Sequence, residues 1–360
     1  MEWKEVRLGD ILNFRRGHDL PHSAMKPGNI PVAGSNGVIG YHDTATPTKP
    51  ILTIGRSGNV GKPYFYEEAW AHNTTLYVDD FKGNDPKFLY YLCLTMPFAN
   101  YGGGSAVPTL NRNHIHPLET QIPVKVEDQR RIASILSSLD RKIELNNKIN
   151  ADLEEMAQAI FKNWFVDFEP FKDGKFVDSE LGMIPEGWKV GLLGELCNFK
   201  RGKNLLTKNA IDEGVPVVAG GLEPSCYHNV ANTGAPVITV SGSGANAGFM
   251  RMYHVPVWAS DCSFIDISCE NFYFVYCFLK VNSKLLKHAQ TGAVQPHVKP
   301  SDIHDFELVI PDKESIYDFQ DKVKPFFDKI ASIQKENSRL SLLRDTLLPR
   351  LMSGELEVPE

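Results

Sequence analysis

A chain of 360 residues, 42% hydrophobic and 23% charged, is sized for two or three packed domains and has none of the bias of a disordered sequence. No apolar run reaches the roughly 18 residues of a membrane span, and the opening Met1-Glu2-Trp3-Lys4-Glu5 has no apolar stretch of the signal-peptide kind. The six cysteines are scattered without a Cys-x-x-Cys pair, which argues against zinc and a disulfide framework and for a reduced, cytoplasmic protein; the net charge of −6 gives the whole chain no cationic excess.

The first 125 residues read as short β-type runs separated by Gly, Asn and Ser clusters: Pro50 to Ile54, Pro63 to Tyr66 and Thr75 to Val78. A helix is predicted over Pro86 to Leu94, then a Gly-rich loop from Tyr101 to Ser105 and a last strand ending at Pro123. This is a mixed α/β domain, near neutral with 12 Lys and Arg against 11 Asp and Glu. From Glu127 to Trp164 there is no Gly or Pro, and apolar residues recur by threes and fours: Ile132, Leu136, Leu139, Ile143, Asn146, Asn150, Leu153, Ala157, Ile160 and Trp164. Such spacing predicts a coiled-coil seam, on a helix of about 57 Å at roughly 1.5 Å per residue. The stretch 126–170 holds 6 basic against 9 acidic residues, so part of the acidic excess lies in this helix. A linker over 171–184 and a second domain over 185–312 follow, within which Phe272 to Leu279 is strand-sized or a short buried helix. The segment 313–360 is a second long helix with a tail. Its stripe is Ile316, Phe319, Val323, Phe326, Ile330, Ile333, Asn337, Leu340, Arg344, Leu347 and Leu351, and Pro325 predicts a kink or a start.

The second domain repeats the first with an offset that drifts only from 185 to 188. Trp3, Gly9, Phe14, Arg16 and Gly17 recur as Trp188, Gly194, Phe199, Arg201 and Gly202. Later pairs keep the order: Ala33-Gly34 with Ala219-Gly220, Tyr41-His42 with Tyr227-His228, Trp70-Ala71 with Trp258-Ala259, Ala106-Val107 with Ala293-Val294, and Ile122-Pro123 with Ile310-Pro311. Apolar and glycine positions are shared while loop positions differ, as expected of two readers on one scaffold; the alternative is duplication kept for stability. The fold class is α+β: two similar mixed α/β domains joined by two long antiparallel coiled-coil helices in a pseudo-two-fold repeat. In that arrangement Asn337 falls near Asn146 and Asn150, a polar trio that fixes register at a cost in stability. The alternative is that these asparagines face solvent or a partner. Phe161 and Phe165 are read as an outer docking surface for partner helices, or else as packing on the chain's own domains.

Catalytic signatures are missing. Gly55-Arg56-Ser57-Gly58-Asn59-Val60-Gly61-Lys62 differs from a phosphate-binding loop by one residue of spacing, and Pro63 stands where a magnesium-binding Ser or Thr belongs. It reads as a glycine-rich β-turn. No dinucleotide fingerprint, adenine-methyltransferase Asn-Pro-Pro-Tyr motif or helical His-Glu-x-x-His is present, and His114-Ile115-His116 reads as structural. A stand-alone nuclease or methyltransferase is disfavoured, and a binding module is expected.

Three segments together resemble the specificity subunit of Type I restriction–modification enzymes: Trp3 to Ile11 with its copy Trp188 to Leu196; Glu127 to Leu136 followed by Leu145 to Asn150; and Leu343 to Leu356. The resemblance covers nearly the whole chain. It implies two target-recognition domains that each read half of a split site in double-stranded DNA, with the helices setting the gap. It further implies two modification subunits that methylate adenine with S-adenosylmethionine, and restriction/translocase subunits that use ATP and Mg. The chain itself would hold no cofactor, no metal and no catalytic residue. Two footprints one turn of DNA apart lie about 34 Å apart, within reach of such a helix pair. Base and phosphate contacts call for Arg, Lys, Asn, Gln, Ser or Thr on loops. The candidates are Arg15 and Arg16 with Lys200, Arg201 and Lys203; Arg56, Ser57, Asn59 and Lys62 with Ser241, Ser243, Asn246 and Arg251; and Thr109, Asn111, Arg112 and Asn113 with Gln295, His297 and Lys299. The competing reading is a duplicated protein-binding scaffold without DNA specificity.

Overall fold

In the computed structural model, which describes residues 1–103, 108–290 and 296–358, the chain divides into two compact units. Unit 1 comprises Met1–Asn146 and Glu336–Glu360, and unit 2 comprises Asn147–Lys335. The repeat pairs Ala106-Val107 and Ala293-Val294, and Gln295, lie outside the described residues.

Unit 1 runs β1 (Trp3–Arg7), α1 (Leu8–Ile11), β2 (Asn13–Arg16), β3 (Ile30–Gly34), β4 (Gly37–His42), β5 (Ile51–Gly55), β6 (Pro63–Tyr66), β7 (Trp70–Ala71) and β8 (Thr75–Asp80). It continues with α2 (Pro86–Thr95), β9 (Gly102–Gly103), β10 (Thr109–Leu110), α3 (Arg112–Ile115), β11 (Glu119–Pro123) and the first part of α4 (Val126–Phe165). Its main sheet has the order β2-β8-β5-β6, beside a smaller sheet β4-β3-β7 and the pair β1-β11. All five residues of β5 are buried because both of its faces are covered, Leu52 and Ile54 entering one apolar cluster and Ile51 another. Asp85 caps α2 by accepting from Phe88 N–H at 2.8 Å, with Pro86 in the first turn. Gln129 of α4 accepts from Asp85 N–H at 2.9 Å and donates to Asn84 Oδ1 at 2.9 Å, fastening the long helix to the domain it follows.

Unit 2 repeats this design. After β12 (Phe176–Val177), in the predicted linker, and its partner β13 (Ile184–Pro185), which straddles the predicted boundary at 184/185, come β14 (Lys189–Leu192), β15 (Lys200–Arg201), β16 (Val215–Val218), β17 (Cys226–His228), β18 (Val237–Ser241) and β19 (Met250–Tyr253). They are followed by β20 (Trp258–Ala259), β21 (Cys262–Asp266), α5 (Phe272–Val281), α6 (Ser283–His288), α7 (Pro300–His304), β22 (Glu307–Ile310) and α8 (Lys313–Met352). The sheets β15-β21-β18-β19, β17-β16-β20 and β14-β22 match those of unit 1 strand for strand. Even single contacts recur: Phe14 N–H donates to His116 Nε2 at 3.1 Å, and Phe199 N–H to His304 Nε2 at 2.8 Å. Phe272 to Leu279 is the buried helix of the two alternatives, since eight consecutive residues of α5 are buried.

The helices α4 and α8, each 40 residues, pass from one unit into the other without a break. Pro325 does not interrupt α8. It sits on the exposed face, where the carbonyl left without an N–H partner meets water. The buried stripe of α8 in unit 2 runs Ile316, Phe319, Val323, Phe327, Ile330 and Ile333. Phe327, rather than the predicted Phe326, is the fully buried member and stacks on Tyr273 at 5.0 Å.

In unit 1 the two helices run antiparallel, share an apolar cluster that holds Ile132 and Leu136 of α4 with Leu351 and Met352 of α8, and carry polar contacts besides. Asn146, 1% exposed, donates to Asn337 Oδ1 at 2.8 Å and to Glu336 at 2.8 Å. Asp140 accepts from Arg344 at 2.9 Å and from the Tyr91 hydroxyl at 2.5 Å. Asn150 does not join them: it belongs to unit 2, and its buried Oδ1 finds no partner among the described residues. The expectation that Phe161 and Phe165 form an outer docking face is also corrected. Both are buried in unit 2, with Phe161 5.6 Å and Phe165 5.2 Å from Phe319, and Phe165 5.0 Å from Phe274. Aromatic side chains so rich in apolar area are consumed by the chain's own core.

Candidate nucleic-acid interface

In β2 Phe14 is buried, Arg15 is turned to the opposite face by the alternation of the strand, and Arg16, the last residue of the strand, is also exposed. The next residue is Gly17 because the chain passes so close to His72 that a methyl group would overlap its carbonyl. Beyond β5 the turn closes on itself, Gly55 N–H donating to Lys62 O at 3.1 Å and Gly61 N–H to Gly55 O at 2.8 Å. The segment, read from the sequence as a glycine-rich turn rather than a phosphate loop, is the loop of the β5–β6 hairpin. It carries Arg56, whose carbonyl accepts from Leu110 N–H at 2.7 Å, while Ser57 bridges to Thr109. Asn111 caps α3 by accepting from Asn113 N–H at 3.0 Å, and Arg112 reaches back to Phe14 O at 3.2 Å.

These links bring three separate sequence clusters around one open cleft of about 590 Å³, lined by Arg15, Arg16, Arg56, Thr109, Asn111 and Arg112 together with His18 and Tyr77. Arg15 meets Asp79 at 3.2 Å and Arg16 meets Asp19 at 3.7 Å, with both guanidiniums more than half exposed. Exposed pairs of this kind hold by about 0–1 kcal/mol and give way to a phosphate. Arg56 and Arg112 have no carboxylate partner among the described residues. Asn59 and Lys62 sit exposed on the same turn, outside the cleft lining, with the Lys62 ammonium 5.4 Å from the Tyr64 ring. Asn113 is exposed beside the cleft. Burial, with Arg112 and Lys82 nearby, pushes His116 below the ordinary histidine value, which keeps its ring neutral and able to accept from Phe14 N–H.

Unit 2 brings the corresponding segments together with different residues. Lys200 and Arg201 occupy the places of Arg15 and Arg16 on β15, and Lys203 follows, its N–H bonded to Ala259 O at 2.9 Å. Ser243 bridges to His297 as Ser57 does to Thr109, and Lys299 precedes α7 as Asn111 precedes α3. The pairing of the second cluster needs correction. Strand register sets Ser241 beside Cys262 as Gly55 is beside Thr75, so Ser241 answers to Gly55 and Gly242 to Arg56. Ser241 is buried and its hydroxyl donates to Gly220 O at 3.2 Å; Asn246 donates to the same carbonyl at 3.3 Å. Arg251 lies opposite Thr239 as Tyr64 lies opposite Thr53, so it answers to Tyr64 rather than Lys62. It bonds Leu222 O and Glu223, each at 3.0 Å. His18 and Tyr77 were not among the sequence candidates: neither is one of the Arg, Lys, Asn, Gln, Ser or Thr residues sought.

Among the described residues no group of three or more His, Cys, Asp or Glu could hold a metal ion, and no helix is long and apolar enough to cross a membrane. A family profile described as the Type I restriction modification DNA specificity domain matches residues 1–155 and again 185–341. The chain is 33% identical over 302 residues to the Type I restriction enzyme MjaIX specificity subunit of Methanocaldococcus jannaschii, covering 76% of this chain and 70% of that one. It is 26% identical over 451 residues to the HindI specificity subunit of Haemophilus influenzae, covering 98% and 94%. In fold it is similar to the S subunit of a Type I restriction-modification system from M. genitalium, with a TM-score of 0.63 at 19% identity over 98% of this chain and 96% of that one.

Proposed function

Because the chain belongs to the Type I restriction modification DNA specificity family, and so is a specificity subunit, we propose that each repeat reads one half of a bipartite site in double-stranded DNA and that α4 and α8 set the gap. In this reading the chain directs adenine methylation and restriction without catalysing either. Two modification subunits supply S-adenosylmethionine chemistry, and restriction/translocase subunits supply ATP- and Mg-dependent cleavage, in the cytoplasm where the DNA is. The observation that carries the reading is the meeting of three distant cationic and amide clusters in one cleft of unit 1, with the same β-turn-to-strand bridge recurring in unit 2. Guanidinium and amide groups on the rim of a β-scaffold are suited to phosphate grip and base-edge contact. The unbroken helices support the gap-setting role.

The test is to express the chain with its modification partner and map methylated adenines across a genome. One split motif with a fixed gap is expected. Methylation without a split motif, together with no bipartite enrichment when the complex selects from random duplexes, would leave a protein-binding scaffold instead.

A further inference from the structure

The two repeats differ sharply at one matched point. In unit 1 Arg56 N–H donates to Thr74 O at 2.8 Å, and in unit 2 Gly242 N–H donates to Asp261 O at 3.1 Å, so Arg56 answers to Gly242 and Thr74 to Asp261. Where unit 1 has an arginine side chain, unit 2 has none. The place is taken from the neighbouring strand: a Cβ added at Gly242 would fall 3.0 Å from Cζ of Arg201 and overlap its guanidinium. Arg201 Nη2 donates to Asp261 Oδ1, and Asp261 Oδ2 accepts from the Ser243 hydroxyl. One carboxylate thus fixes the guanidinium and the turn beneath it, while Arg201 stays 47% exposed. Arg16, the matched arginine of unit 1, has Asp19 as its carboxylate partner among the described residues, at 3.7 Å and 73% exposed.

We propose that Arg201 is a specificity-determining residue of the second repeat, held by Asp261 over Gly242 so that its free edge donates in a fork to one guanine of that repeat's half-site. The proposal rests on the DNA-reading function above and adds a residue and a base to it. A guanidinium fixed in plane presents two parallel donors that match O6 and N7 of guanine, whereas an unfixed one serves as a mobile positive charge for phosphate. Asp261 is then a positioning residue. An exposed ion pair does little for stability, so this constellation is built for orientation. Gly242 is required because any side chain displaces the guanidinium.

The experiment expresses the full chain with its modification partner and compares the methylated motif for wild type, Arg201→Ala, Arg201→Lys, Asp261→Asn, Gly242→Ala and Arg16→Lys. The wild-type motif is expected to hold a guanine in one half-site whose discrimination falls about 10- to 100-fold in Arg201→Ala. Arg201→Lys keeps the charge and loses the fork, so it is expected to lose the same guanine while total methylation holds. Asp261→Asn and Gly242→Ala are expected to relax that position alone, by about 5-fold. Arg16→Lys is the phosphate-type comparison: any loss of methylation is expected to fall evenly over all sites with the bases of the motif kept. Loss of methylation evenly across all sites in Arg201→Ala, with the motif intact, would make Arg201 a phosphate contact and overturn the proposal; so would an unchanged motif in Asp261→Asn. A wild-type complex with no split motif would instead overturn the DNA-reading function itself.

Discussion

The long helices pair by different chemistry in the two units. In unit 1 the polar contact is Asn146 with Asn337 and Asp140 with Arg344 and Tyr91. In unit 2 Phe161, Trp164 and Phe165 close on Phe319, with Phe274 and Trp188 around them. Apolar packing is strong and tolerant of small shifts, whereas a buried polar pair is satisfied in one alignment only. The duplicated architecture therefore keeps its strand order while the means of fixing its helices diverges: both units have an apolar contact, with Ile132 and Leu136 beside Leu351 and Met352 in unit 1, and unit 1 adds a polar pairing that sets alignment.

The sharpest break of this contrast is Phe319→Ala, expected to cost about 3–5 kcal/mol through lost burial and an unfilled cavity. Chemical denaturation reads it, and a loss under about 1 kcal/mol would show that the aromatic cluster is not what binds α8 in unit 2. Next is Asp140→Ala, which leaves the Tyr91 hydroxyl without its acceptor and Arg344 with Asp345 alone, and should cost about 1–3 kcal/mol. Asp140→Ala combined with Arg344→Ala should be less damaging than the sum of the two single changes. Full additivity would mean the groups are independent. On the DNA side, Arg56→Ala is expected to weaken binding by the complex by about 1–3 kcal/mol and to relax one position of one half-site. A uniform weakening with a reduced salt slope would assign it to phosphate.

The smallest effect is in pH. Burial depresses His72 and His116 in unit 1 and His254 in unit 2 below the ordinary value of 6.5. With folded values below unfolded ones, the unfolded chain takes up protons first, so stability present above 6.5 is lost as the pH falls through that value. A melting temperature that declines between about pH 7 and pH 5.5 is expected in thermal unfolding, and a flat profile would refute it.

Much of the fold was legible because the signals were strong: the recurring Trp, Gly and Phe-x-Arg-Gly positions, and two stretches of helical spacing. The Asn146–Asn337 pair could be read from an antiparallel seam. Asn150 could not, because its fate depends on where one unit ends and the other begins. Phe161 and Phe165 were misassigned for a similar reason. Periodicity reports that a face is apolar and not which surface covers it. The three clusters of unit 1 were legible as residue types, but their meeting depends on the Leu110 to Arg56 hydrogen bond, which no local pattern encodes. The second cluster of unit 2 was mispaired because the repeat offset drifts across the turn, and strand register alone restores the alignment.

The bridge between Ser57 and Thr109, repeated between Ser243 and His297, joins loops that stand some fifty residues apart in the chain. Each loop sets the height and tilt of the other. On the proposed DNA-reading function, the unit to exchange for a new half-site is therefore the pair: a graft that carries one loop without its mate is expected to lose the bridge that holds it, and an exchange that cuts outside both is expected to keep it.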